Sequence, residues 1–332
     1  MQKQQSGIFT ISLDFELYWG MRDVVSSMQY ADHMNGVPKA IDQILNSFQR
    51  YNIHATWAVV GFLYFANLEA LKSNIPQKKP TYTNKQLDIY HYIDTQEYLE
   101  PSYHFAPESI DKINNSKYQE IGTHTFSHYY CLEEGQTKDE FYADIAYAVK
   151  IAKNRTGKDM QSLVFPRNQW NDEYLSVLSD LGIVCYRGNE KNWIYDAVNE
   201  EKKSSMGRRV LRLLDAYFDL TGYNTYSLQE LSSKQILNIP ASRFLRPASR
   251  QFNLLEKMRL NRIKKSMTYA AKNNQLFHLW WHPHNFGKEI ESNVAFLEKI
   301  LEHYKMLHLT YNMQSLNMGE VASLLKKVKH TK

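Results

Sequence analysis

Four side chains in two short stretches of the sequence could assemble chemistry. Asp14 and Glu16 lie in Ser12-Leu13-Asp14-Phe15-Glu16, and His124 and His128 close the stretch Glu120-Ile121-Gly122-Thr123-His124-Thr125-Phe126-Ser127-His128. On an extended segment, residues two apart point the same way, so both carboxylates can enter one site. Histidines four apart on a helix would present two imidazoles to one ion. Two histidines and one carboxylate form a facial set that leaves open positions on a divalent cation, with the second carboxylate free to act as a base. Each motif also has a plain structural reading, an ion-paired loop or two polar histidines. His278 and His282 repeat the same spacing.

The elements that must position these residues follow from short apolar runs alternating with amphipathic stretches. Strands are expected at Ile8 to Leu13, Ile53 to Val60, Glu120 to Thr123, Ser162 to Phe165, Ile183 to Tyr186, Gln235 to Ile239, Leu276 to Trp281 and His308 to Tyr311. Helices are expected at Val37 to Tyr51, Lys138 to Asn154, Asn171 to Asp180 with Asn171 as N-cap, Met206 to Phe218, Phe252 to Asn273, Val294 to Tyr304 and Gly319 to Lys327. Tyr64 to Lys117 fits no single strand–helix unit and reads as an inserted cap (64–118) within one domain spanning 1–332, with basic helical segments in 202–273. Repeated strand–helix units favour a parallel α/β sheet closing into a barrel. No glycine-rich phosphate turn follows the first strand, which argues against an open dinucleotide-binding sheet.

In a parallel barrel the ends of the strands share one rim. Asp14 and Glu16, His124 and His128, Arg167, Asn168 and Gln169, Arg187 and Asn189, and His282, His284 and Asn285 each follow a strand. Their convergence weighs more than any single motif. Trp19, Trp170, Trp193, Trp280 and Trp281 lie near the same rim, where one or two could stack on a sugar ring.

Composition narrows the class. With 332 residues, 43% hydrophobic and 23% charged, the chain is ordinary globular material, without an apolar run long enough to span a membrane. The start carries no secretory signal pattern, so cytoplasmic residence is the expectation. Two cysteines, Cys131 and Cys185, exclude Cys-x-x-Cys zinc knuckles. The net charge of +5 is concentrated around Arg208, Arg209 and Arg212 and between Arg243 and Lys265. That suggests a phosphate-bearing partner or an anionic membrane face rather than nucleic acid, beside the plainer reading of solvated helix faces.

With these residues in view, the sequence resembles the polysaccharide deacetylase family, which shares the NodB homology domain. The resemblance rests on Ser12 to Glu16, on Ala55-Thr56-Trp57 through Gly61, and on Glu120 to His128. It implies a distorted (β/α)7–8 barrel with an inserted cap, a metal-dependent site, and hydrolysis of the N-acetyl group of an amino sugar. Asp-x-Glu replaces the family's commoner pair of adjacent aspartates, as in a variant subgroup. Carried over, Asp14 is the general base and Glu16, His124 and His128 are the metal ligands, with Zn2+ the first choice among zinc, cobalt, nickel, manganese and iron. Phe165-Pro166-Arg167-Asn168-Gln169 stands for the arginine motif, making Arg167 the partner of Asp14 and placing an oxyanion-binding amide near Asn168. Tyr186-Arg187-Gly188-Asn189 matches the fourth motif poorly. Trp281-His282-Pro283-His284 makes His282 the general acid and His284 its rival. Trp19, Asn168, Trp170, Trp281 and His284 are the expected substrate contacts.

The implied substrate is an amino-sugar-containing glycan or, for a cytoplasmic enzyme, a nucleotide-linked or lipid-linked precursor. Peripheral contact with the inner membrane face through the basic helices goes with the lipid-linked version. Two rival readings remain open at this stage: a glycosidase using Asp14 and Glu16 as its acid–base pair, and a non-hydrolytic glycan-binding barrel at a membrane face.

Overall fold

The computed structural model describes residues 6–198, 206–231, 236–248 and 253–329. Ten strands form the sheet: β1 (Ile8–Phe15), β2 (Ala55–Val59), β3 (Gln119–Thr123), β4 (Ser162–Val164), β5 (Cys185–Arg187), β6 (Tyr226–Ser227), β7 (Leu237–Asn238), β8 (Arg243–Phe244), β9 (Gln275–Trp281) and β10 (Gln314–Ser315). The order β9-β1-β2-β3-β4-β5-β7 is parallel throughout. β8 pairs in parallel with β9. The four residues between β7 and β8 bond to both neighbours: Ala241 N–H donates to Gly188 O at 2.9 Å, and Ser242 N–H to His278 O at 2.8 Å. One extended stretch, 237–244, therefore joins the two edges and closes a distorted α/β barrel. β6 lies antiparallel on β9, and β10 pairs with β1 at its N-terminal end.

Strand parity sorts the side chains into two cores. Phe9, Ile11, Leu13 and Phe15 of β1, with Trp57, Leu163, Tyr186, Phe277, Leu279 and Trp281, face the surrounding helices. Ile8, Ala58, Val164, Cys185, Leu237, Ile239 and Leu276 face inward, where Met318, Val321, Ala322 and Leu325 of the final helix Met318–Lys329 plug the lower end. Because the period of a strand is two, Asp14 shares the inward face with Ile8, Thr10 and Ser12. Cross-strand register places Thr10 beside His278, Ser12 beside Trp280 and Val164 beside Arg187. The barrel is thus apolar at its plugged end and polar at its C-terminal rim.

Helix Val37–Tyr51 has the expected bounds and buries Ile41, Ile44 and Phe48 on one face. Asn171 caps the short helices that follow it, accepting from Glu173 N–H. The expected strand at His308 to Tyr311 is instead the end of helix Ile290–Tyr311. Its buried stripe runs Val294, Leu297, Leu301, Tyr304 and Leu307, so helical period overrides the β-tendency of a four-residue run, and Asn312 stops it with φ 56°. The strand partner of β1 falls just beyond, as β10. Residue 252, expected at a helix start, and 235, expected in a strand, lie outside the described residues.

Between β2 and β3 the chain passes through five short helical turns before helix Pro107–Asn115, which packs on β3. Trp19, just after β1, holds this segment. Its indole N–H donates to His104 O at 2.7 Å, and its ring meets Phe62, Tyr92, His104 and Phe105 edge-on.

Candidate metal centre

Glu16, His124 and His128 meet at the rim. Glu16 Oε2 lies 3.2 Å from His124 Nε2 and 3.0 Å from His128 Nε2, with all three side chains buried. The opposite ring nitrogens are fixed. His124 Nδ1 sits 2.9 Å from Val164 O; a carbonyl only accepts, so Nδ1 carries a proton, and Nε2 is the nitrogen turned to Glu16. His128 Nδ1 is 3.1 Å from the Tyr130 hydroxyl. Burial holds the pKa of His128 below its ordinary value against the pull of Glu16, which favours the neutral ring. The Glu16 carboxyl lies well below the usual range, because His282 and hydrogen bonds from His124 and His128 outweigh its burial. Two imidazole nitrogens and a carboxylate oxygen thus converge, a set of ligand atoms that could hold a divalent cation.

The His-x-x-x-His segment is not helical. Thr125 and His128 take left-handed backbone angles, φ 64° and 55°, and the segment folds as a tight loop after β3. The expected helical i, i+4 pair is therefore replaced by a turn, and Asp144 is what holds it. From helix Lys138–Thr156, Asp144 accepts from Phe126 N–H at 2.6 Å, Ser127 N–H at 3.1 Å and the Ser127 hydroxyl. Burial outweighs these bonds and pushes its carboxyl up to about 6. Asp144 was legible as an acid on the buried Phe141–Ile145–Ala148 stripe, where only a satisfied carboxylate can stand.

Asp14 is gripped by Arg187, not by Arg167. Arg187 donates to both Asp14 oxygens, at 2.6 and 2.7 Å, to Ser12 Oγ at 2.9 Å and to Asn168 Oδ1 at 2.9 Å. Burial opposes charge on Asp14, but Arg187, with His124 and His282, wins and holds the carboxyl below its ordinary value. Arg167 follows β4 with φ 55°, which turns its side chain away to Asp23 and over the Tyr130 ring. Arg187, the last residue of β5, has the inward parity that Arg167 lacks. Its guanidinium lies 4.1 Å from the Trp280 ring centroid. Behind it Ser12 contacts His278 Nε2 at 2.9 Å, and His278 Nδ1 contacts Ile239 O at 3.1 Å.

The remaining expected residues divide. His282 Nε2 reaches both acids, 3.4 Å from Glu16 Oε1 and 3.8 Å from Asp14 Oδ2. His284 stacks on His282 with ring centroids 4.9 Å apart, and burial drives its pKa down to about 3. Glu16, His282 and His284 form a second group of ligand-like atoms. His284 Nδ1 has no hydrogen-bond partner, whereas His124 and His128 each have one behind the facing nitrogen, which favours the latter pair as ligands. Trp19 and Trp281 are fully buried, the first under the segment between β2 and β3 and the second against Phe48 and Phe286 on the helix side of β9. Neither can stack on a sugar; Trp280, one position earlier, has the inward parity. Trp170 is half-buried against Tyr186. Asn168 faces Arg187, and its N–H donates to Phe165 O at 3.0 Å, so that amide is not available to an oxyanion.

Gly20 was not anticipated. A Cβ there would lie 2.1 Å from the Glu16 carboxyl carbon, so only glycine lets Glu16 turn to the histidines. Part of the basic stretch is interior: Arg243 and Arg262 pair with Asp215, and Arg259 with Glu256, all three arginines buried. Depressed carboxyls at Asp14 and Glu16 leave neither able to serve as the protonated acid a glycosidase requires. Among the described residues no helix is long and apolar enough to cross a membrane.

Residues 28–186 match the family model described as polysaccharide deacetylase; the stretch contains His124 and His128 and begins after Asp14 and Glu16. No curated protein matches the chain in sequence. Among solved structures the fold is similar to that of a Mycobacterium smegmatis protein provisionally designated a polysaccharide deacetylase, at TM-score 0.59 and 11% identity over 99% of this chain and 93% of that one. A Pseudomonas aeruginosa PAO1 protein with the same provisional designation gives TM-score 0.56 and 12% identity over 96% and 91%. Puue allantoinase gives 0.52 and 10% over 99% and 93%. At such identities the likeness speaks for the fold alone, and the sequence match speaks for the stretch 28–186.

Proposed function

We propose that this chain, a member of the polysaccharide deacetylase family, removes the N-acetyl group of an amino sugar with a divalent metal held by Glu16, His124 and His128. The observation that carries the reading is the approach of Glu16 to two imidazole nitrogens at 3.2 and 3.0 Å, with an ionised Asp14 sharing His282 beside it. A divalent ion there, Zn2+ by its preference for nitrogen and carboxylate ligands, would polarise the amide carbonyl and acidify water.

Asp14 takes the proton of the attacking water. Arg187 orients its carboxylate and keeps it charged, a task earlier expected of Arg167. His282, within reach of both acids and 22% exposed, donates a proton to the departing amine, without which an amide nitrogen is too poor a leaving group. His284, stacked behind it and held neutral by burial, positions His282. Trp280, with Asn168, forms the wall on which the sugar rests.

Acetate release from N-acetylhexosamine substrates, measured together with bound metal, tests the reading. Asp14→Asn is expected to keep one metal per chain and lose acetate release at least about a thousandfold. Full activity in that variant would eliminate Asp14 as base, and bound metal with no acetate release from any N-acetyl sugar would overturn the deacetylase reading. Residence in the cytoplasm, a single domain over 1–332 and a cap at 64–118 belong to the same proposal.

A further inference from the structure

Beside the Glu16 centre lies a cavity of about 560 Å3, and its far wall is arginine. Five arginines line it: Arg167, Arg209, Arg212, Arg243 and Arg246. Two are already matched, Arg167 by Asp23 and Arg243 by Asp215. Arg209, Arg212 and Arg246 have no carboxylate partner among the described residues. Arg212 donates from Nε to Ile194 O, and its guanidinium lies 5.9 Å from the Tyr195 ring centroid on the cavity wall. Burial, then Arg208, lowers its pKa against the pull of Glu190, which lines the same cavity with Asp23 and Asp196, so five arginines there face three carboxylates. These arginines come from separate elements, helix Met206–Asp215 and the residues after β8, so they face one space from two sides.

The cavity is continuous with the metal centre. Asn168, Trp280 and Phe244 line it, and they touch Arg187 at 2.9 Å, Arg187 at 4.1 Å and His282 at 5.9 Å between rings. A sugar whose acetamide reached Glu16 would extend its other end toward the arginines. Guanidinium forks pair two at a time with phosphate oxygens. A neutral polymer offers hydroxyls, which leave such charges uncompensated.

We propose that the cavity binds a phosphate or diphosphate ester of the amino sugar through Arg209, Arg212 and Arg246, an inference that rests on the deacetylase reading for which end of the substrate enters first. The ester could be a nucleoside diphosphate or a lipid diphosphate, since both present the same oxygens.

Calorimetric titration of the metal-loaded Asp14→Asn chain with N-acetylglucosamine and with its 1-phosphate tests this without turnover. The phosphate should bind at least about tenfold tighter, and Arg212→Ala or Arg246→Ala should each remove about tenfold of that advantage. Arg246→Lys, which keeps the charge and loses the fork, should keep part of it and guards against misfolding as the cause. Equal binding of the two probes, or an advantage untouched by all three variants, would overturn the proposal. Repeating the titration with uridine-diphosphate-linked and short prenyl-diphosphate-linked N-acetylglucosamine distinguishes the sources; preference for either supports a phosphate site, and binding of both no tighter than the neutral sugar contradicts it. If phosphate-dependent binding is found but no acetate is ever released, the deacetylase reading falls and the phosphate site stands.

Discussion

Two buried charge clusters lie in this barrel, and they are built on opposite terms. Around Asp215 every acceptor has a donor. Its Oδ1 receives Leu220 N–H, Thr221 N–H and Arg262, and its Oδ2 receives the Tyr195 hydroxyl, the Thr221 hydroxyl and Arg243. Around Glu16 the neighbours are imidazole nitrogens that, in neutral rings, are themselves acceptors. The first cluster supplies its carboxylate with protein donors throughout and ties helix Met206–Asp215 to β8 and to helix Asn253–Lys272. In the proposed reading the second is completed by a cation. Burial and charge alone do not mark a functional site; the balance of donors and acceptors does.

The largest expected effect separates the two clusters. Glu16→Gln should abolish acetate release and metal binding while leaving the melting temperature of the metal-depleted protein nearly unchanged. Asp215→Asn should strand two buried guanidinium groups and cost about 3–5 kcal/mol of stability by denaturant titration. If Asp215→Asn proves neutral to stability, the distinction drawn between the clusters is wrong.

Arg187→Met combines both consequences, because it strips a buried carboxylate of its partner. Stability should drop by about 3 kcal/mol and activity by about a hundredfold, with Arg167→Met far milder on both. A larger loss from Arg167→Met would restore that residue as the partner of Asp14. Gly20→Ala should keep the fold and weaken metal binding by about 10–100-fold, since the new methyl group displaces the Glu16 carboxyl. Unaltered metal affinity would remove Gly20 from the site.

The smallest effect concerns the polar chain behind Arg187. Burial lowers the pKa of His278 to about 3, with Arg187 adding to the effect. Below pH ~6.5 the unfolded chain takes up a proton that the folded one refuses, so stability falls by about 1.4 kcal/mol per pH unit as pH drops toward 3. Above ~6.5 the contribution is constant. His278→Gln should flatten that slope in urea titrations across pH 4–7; an unchanged slope assigns the acid sensitivity elsewhere.

Much of the architecture was readable because strand period and helix period are physical. The strand read at Ile8 to Leu13 put Asp14 at its rim end, and the apolar stripe of Val37–Tyr51 gave that helix its bounds. What escaped were features decided by tertiary context. A four-residue spacing cannot tell the His124–His128 loop from a helix, because the bonds from Asp144 come from a distant element. Arg167 and Arg187 both follow strands, and only backbone angles, φ 55° at Arg167, decide which one reaches Asp14. Trp280 and Trp281 differ by one residue, which on a strand is the difference between cavity and core. The closing stretch 237–244 was half seen, as a single strand, because its change of partners leaves no mark in composition.

Titrating the metal-depleted wild-type chain, Glu16→Gln and Asp14→Asn with Zn2+ is the most direct test of the central claim. One tight site per chain is expected in the wild type and in Asp14→Asn, and none in Glu16→Gln. Tight binding that survives Glu16→Gln, or no stoichiometric binding in the wild type, would contradict the account.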